Sequence, residues 1–179
     1  MGIEARKLFI RRKQEFIGRE LEEHYLGYPV DWEQILAKNK INPENLTRQD
    51  WLKIFKEHYP RDPKMPEKKW GKDLFNFVAE ELRIDPENPQ ELNFFNSLGS
   101  KLDQAGIDCF FLFKNPNTKK EVMFSIDLTA EEKKDEWKAD AVLKEFPDYR
   151  SKEDEYIEKM KETAKQIAKR LIEKSGPIR

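Results

Sequence analysis

Cysteine occurs once in the 179 residues, as Cys109, and histidine twice, as His24 and His58. A lone thiol cannot close an internal disulfide, which suits a reducing compartment. The same scarcity excludes a structural zinc site, whose ligands are drawn from several Cys and His. The seven glycines are scattered and never assemble into a phosphate-cradling loop. No apolar run approaches the ~20 residues of a membrane helix. The amino-terminal charges are followed by no apolar core, so a signal peptide is not expected, and the expected compartment is the cytoplasm. Neither sign of charge is in excess: 34 Lys and Arg face 35 Asp and Glu, a net charge of -1. No global basic field therefore advertises a nucleic-acid partner, although a basic cleft on a neutral protein is compatible with one.

Aromatics are plentiful. Twelve Phe, five Tyr and four Trp argue against disorder, and the 39% of charged residues implies a surface crowded with ion pairs. The length suits one substantial core, or a small core with a helical extension. Helical spacing joins Phe9, Phe16, Ile17, Leu21 and Tyr25 in an opening helix that Gly27-Tyr28-Pro29 stops. Asp31 caps a short helix carrying Trp32, Ile35 and Leu36. Thr47 with Asp50 nearly matches a capping box ahead of Trp51, Phe55 and Tyr59. After Pro60 and Pro63, Pro66 is suited to begin a helix with Trp70, Leu74, Phe77, Val78 and Leu82 on one face.

Asp85-Pro86-Glu87-Asn88-Pro89 is the expected boundary between a helical region, residues 1–85, and an α/β core, residues 86–179. From Gln90 the spacing of Leu92, Phe95, Leu98 and Leu102 predicts a helix ending at Gly106. The period then changes. Ile107 to Phe113 and Glu121 to Leu128 read as strands around the turn Asn115-Pro116-Asn117-Thr118, a hairpin. Residues 130–137 are a charged helix or loop, Ala139 to Phe146 a further strand through Ala141, Val142 and Leu143, and Ser151 opens a long helix with Tyr156, Met160, Ala164, Ile167 and Leu171 on its stripe. The chain is thus expected to be α/β (α+β), a small mixed sheet flanked by helices.

Asp108 and Asp127 lie inside these otherwise apolar strands, where a carboxylate is costly unless paired or holding a cation. Carboxylates from adjacent strands can converge on Mg²⁺, a hard ion that prefers oxygen. Alternation puts Ser125, Asp127 and Thr129 on one face of the second strand and Phe124, Ile126 and Leu128 on the other.

Gly106-Ile107-Asp108 and Asp127-Leu128-Thr129, with this order of elements, resemble the PD-(D/E)xK nuclease superfamily, the restriction-endonuclease-like fold, over roughly residues 90–145. The resemblance implies a Mg²⁺-dependent DNA endonuclease with Asp108 and Asp127 as metal ligands. It implies a further acid from a preceding helix, for which Glu91 and Asp103 are candidates. Two positions depart from the pattern: Thr129 stands where the family has its lysine, and Ile107 where it has proline. Some members move the lysine to another element, and Lys138 is the candidate here, with Lys101 second.

Two other readings belong to different classes. One is a catalytically inactive nuclease-like fold that binds nucleic acid or assembles with protein, a second copy of the chain included. The other is a helical protein–protein interaction module built on the aromatic first ninety residues. The basic cluster Arg6, Lys7, Arg11, Arg12 and Lys13 could contact phosphates, but such clusters are more often solvated helix faces. His24 and His58 have no partner at telling spacing and are assigned no catalytic role.

Overall fold

A computed structural model describes residues 19–85, 89–129 and 139–178, and these form a mixed α/β arrangement of helices on both faces of one four-stranded sheet. The basic cluster Arg6, Lys7, Arg11, Arg12 and Lys13, the charged 130–137 segment and Lys138 lie outside the described residues.

The helices before the sheet follow local chemistry closely. Residues 19–26 are helical (α1) and end at Gly27, whose φ of 91° is open to glycine without strain. α2 is Trp32–Lys38, with the Asp31 side chain accepting from Gln34 N at its start. α3 is Arg48–His58, and Thr47 and Asp50 form the full reciprocal capping box. α4 is Lys69–Glu81, three residues later than proline placement predicts. Pro66 is buried against the helix rather than part of it: a Cβ on Gly71 would meet Pro66 Cβ at 3.1 Å.

The predicted helix from Gln90 is not formed. Leu92–Asn96 is instead a strand, β1, and only Lys101–Gln104 is helical there (α5), capped by Ser100. The reason is burial on both faces. Leu92 and Phe94 face one hydrophobic cluster and Phe95 the other, so the strand shows no polar alternation and its apolar positions mimic a helical period. The expected hairpin is present as β2, Cys109–Lys114, and β3, Glu121–Leu128. Asn115 closes its turn by accepting from Asn117 N and Thr118 N. β4, Ala141–Leu143, follows, and then α6, Glu153–Ser175, which begins two residues after the expected Ser151.

The strands lie in the order β1-β2-β3-β4; the first two pairings are antiparallel, and β4 runs parallel to β3. α4 and α6 cover one face through Leu74, Val78, Met160 and Ile167, packed on Phe111, Phe124 and Ile126. α2 and α3 cover the other through Trp32, Trp51 and Phe55, packed on Phe95, Phe110 and Leu112. Trp32, Trp51 and Trp70, which stand at the apolar helical positions read from the sequence, are all buried. Residues from both sides of the Asp85 segment share both clusters.

Candidate metal centre

Four carboxylates gather where β2 begins and β3 ends. Asp108 comes just before β2 and is buried; its N–H donates to Ile126 O, continuing the β2–β3 ladder by one bond. Its Oδ2 accepts from Leu128 N at 2.5 Å. Asp103 sits on the four-residue helix α5, and its Oδ2 accepts from Gly99 N at 2.8 Å. Glu22 arrives from α1. One carboxylate oxygen each of Glu22, Asp103 and Asp108 lies within 4.8 Å of the others. Asp127, buried on β3, has its Oδ2 3.5 Å from where a Cβ on Gly106 would stand. The Gly106 turn, held by Gly106 N donating to Asp103 O at 2.7 Å, therefore runs beside the Asp127 carboxylate.

Burial and like charge act together on this cluster. Burial first, then the Glu22 charge, pushes the Asp108 carboxyl up to about 8; Asp127 and Asp103 add to the rise, while the Leu128 N–H opposes it. Asp103 is also raised, chiefly by burial and further by Asp127, against the pull of Gly99 N and Arg19. Carboxylates this close cannot all ionise without a counter-charge. A divalent cation would supply it, and an all-oxygen donor set suits a hard ion such as Mg²⁺, Mn²⁺ or Ca²⁺. The donor chemistry and the crowding of charge thus suit a hard divalent cation, a class that includes Mg²⁺.

The sequence-derived positions divide clearly. Asp108, Asp127 and Asp103 are brought to one place, with Asp127 just outside the tightest triad. Glu91 is not: it precedes β1 beside Lys114, at the opposite end of the β1–β2 pair from Asn96 and Cys109. Five strand residues separate those ends, roughly 17 Å. Thr129 is buried, with its N–H donating to Leu143 O at 3.0 Å, so the position held by lysine in the resembled family is occupied by a strand-pairing residue. Lys101 is turned to Pro43 O at 2.5 Å. Lys174 reaches β3 from α6, but Asp140 Oδ1 at 2.5 Å and Met123 O at 3.1 Å hold its ammonium.

Sequence reasoning missed Glu22. It lies 81 residues before Asp103 in a helix rich in charge, where one acid among several gives no signal. Its neighbour Leu21 and the buried Tyr25 mark the face of α1 that meets the core, and Glu22 lies close to that face. No protein-family model, curated protein or solved structure matches this chain.

Proposed function

We propose that the chain is a divalent-metal-dependent nuclease that hydrolyses phosphodiester bonds of DNA, built on a restriction-endonuclease-like core. The observation that carries this reading is the convergence of Glu22, Asp103 and Asp108, with Asp127 beside them, from four separate elements onto one sheet end. The strand arrangement supports it too: one acid at the start of a hairpin strand, the next on its partner, and a further strand parallel to that partner.

Glu22, Asp103, Asp108 and Asp127 would hold Mg²⁺. When bound, the ion activates a water and offsets charge building on the attacked phosphate. The chain's own contribution is positional. Leu128 N fixes one oxygen of Asp108, Gly99 N fixes one of Asp103, and Gly106, at φ 80°, makes the left-handed turn that runs beside Asp127. Lys138 is the proposed cation for the transition state, in place of the lysine absent at Thr129.

Cleavage of plasmid and linear DNA with Mg²⁺ or Mn²⁺, against EDTA and against Asp127→Asn, tests the proposal. Metal-dependent cutting lost in the variant is the expected result. A wild type that binds metal yet cuts no DNA would turn the reading to a non-catalytic nuclease-like module. Thr129 and the engagement of Lys101 and Lys174 elsewhere are the observations that favour that second reading.

A further inference from the structure

Among the described residues the large apolar side chains left in solvent are Tyr28, 70% exposed, and Met65, 69% exposed. Met65 and Lys68 border a small recess with Arg61, and Arg61 Nη2 donates to Tyr28 O at 2.9 Å. Lys68 Nζ stands 5.7 Å from the centre of the Tyr28 ring. Lys68 makes no ion pair among the described residues, whereas Arg61 is paired with Glu67 at 3.2 Å.

The backbone beneath the ring is fixed. Gly27 makes a left-handed turn, and Tyr28 O also accepts from Asn96 Nδ2 at 3.5 Å. Asn96 pairs with Cys109, and the next residue, Ser97, donates its N–H to Asp108 O at 2.9 Å. A rigid main chain thus connects an exposed aromatic ring to the strand end that carries the carboxylates. From Glu22 the chain rises through α1 to Leu26 and then spans two residues, so the Cα atoms of Glu22 and Tyr28 lie within about 13 Å.

We infer that Tyr28 and Lys68 form a subsite for an unpaired nucleotide of single-stranded nucleic acid, the base stacking on the ring and its phosphate meeting the ammonium. The inference rests on the nuclease reading for its geometry, since the subsite flanks the carboxylate cluster. An aromatic ring on which a base stacks, beside a cation that meets the backbone, is the element from which sequence-tolerant single-strand sites are built. Paired bases in a duplex offer no free face, so the subsite selects a single-stranded end or flap.

Charge favours nucleic acid over a protein partner. Residues 61–69 carry Arg61, Lys64, Lys68 and Lys69 against Asp62 and Glu67, on a chain whose net charge is -1. The wider groove on the far side of Lys68 differs. There Lys68, Lys69 and Arg150 are matched by Glu20, Glu145 and Asp148, which leave no net positive charge to attract a phosphate backbone. The strand is therefore expected to leave Tyr28 toward the carboxylates and not toward that groove.

Anisotropy of a short fluorescein-labelled oligonucleotide, with Ca²⁺ replacing Mg²⁺ to suppress cutting, tests the subsite. Wild type should bind the single strand more tightly than the blunt duplex of the same sequence. Tyr28→Ala should weaken single-strand binding roughly 5- to 100-fold, and Tyr28→Phe should restore it. Lys68→Ala should lower the salt dependence by about one phosphate contact. Unchanged binding by folded Tyr28→Ala, or a preference for duplex, overturns the inference. So does a wild type that ignores the oligonucleotide but dimerises through Tyr28 and Met65, detected by light scattering. Binding through Tyr28 without any cleavage would instead sink the nuclease reading and leave the subsite standing. Cleavage and binding by Tyr28→Ala at wild-type levels would do the reverse.

Discussion

Leu128 N and Asp108 Oδ2 are 2.5 Å apart, so the end of β3 is fastened to the start of β2 by a side chain rather than by another rung of the ladder. That bond survives protonation of Asp108, because the second oxygen can take the proton. The carboxyl can therefore be neutral without loosening the strand ends.

Stability of the metal-free protein should fall as pH rises through the neutral range. The Asp108 carboxyl is raised from 3.8 to about 8 in the fold, so between those values the native state holds a proton that the unfolded chain has released. The stabilisation is complete below about pH 4, declines across the window and is gone above about pH 8. Its upper bound is on the order of 6 kcal/mol at about 1.4 kcal/mol per unit. Urea unfolding in EDTA at pH 5, 7 and 9 measures it. Asp108→Asn should flatten most of the slope, and an unchanged slope would show that Asp108 does not carry it.

Divalent metal should act in the opposite direction. A cation requires the carboxylates ionised, so binding below pH 8 must expel the Asp108 proton, and affinity rises with pH. The melting temperature should therefore gain more from Mg²⁺ or Mn²⁺ at pH 8.5 than at pH 6. Glu22→Gln should reduce this gain at both values. Equal gains in wild type and variant would place the ion elsewhere.

The two remaining acid and lysine positions separate holding from turnover. Asp127→Asn should abolish metal-dependent cleavage while leaving the circular dichroism spectrum unchanged, because the amide keeps the shape and removes the charge. Lys138→Ala should depress turnover far more than DNA binding, as expected of a group acting mainly in the transition state. Parallel measurements of the cleavage rate and of binding in Ca²⁺ distinguish the two. A variant with lowered binding and an unaltered rate would assign Lys138 to the DNA backbone.

Gly106→Ala should harm the site more than its size suggests. At φ 80° any side chain is strained, at a cost of about 1 kcal/mol, and the new methyl would lie 3.5 Å from Asp127 Oδ2. Metal affinity, read by titration calorimetry, should fall alongside the stability measured in EDTA. Loss of stability with full affinity would confine the role of Gly106 to the turn.

Much of this architecture was legible from residues a few positions apart. Asp31, the Thr47–Asp50 box and the Asn115 turn act through bonds that span two or three residues, and local sequence is sufficient to reveal them. β1 was illegible because Leu92, Phe94 and Phe95 are buried from both sides, which erases the polar alternation by which a strand is recognised. The site divided in the same way. Asp108 and Asp127 stand out as charges within apolar runs, whereas Glu22 belongs to a charged helix and acquires meaning only when α1 reaches the sheet end. Thr129, a departure already visible in the sequence, is buried where its N–H pairs with Leu143 O.

Cys109 gives the molecule a built-in chemical reporter. The thiol is wholly buried on β2, next to Asp108, and burial together with the neighbouring carboxylates holds it in the protonated, unreactive form. A neutral alkylating reagent can reach it only when the strand end opens, so the labelling rate reads the opening free energy of that end. No engineered probe is required, and no other thiol competes for the label. An ion held by Asp108 would have to leave, or stay attached to a frayed strand, before labelling could occur. The dependence of labelling on metal concentration would then distinguish an ion that clamps the strand from one that merely rests against it.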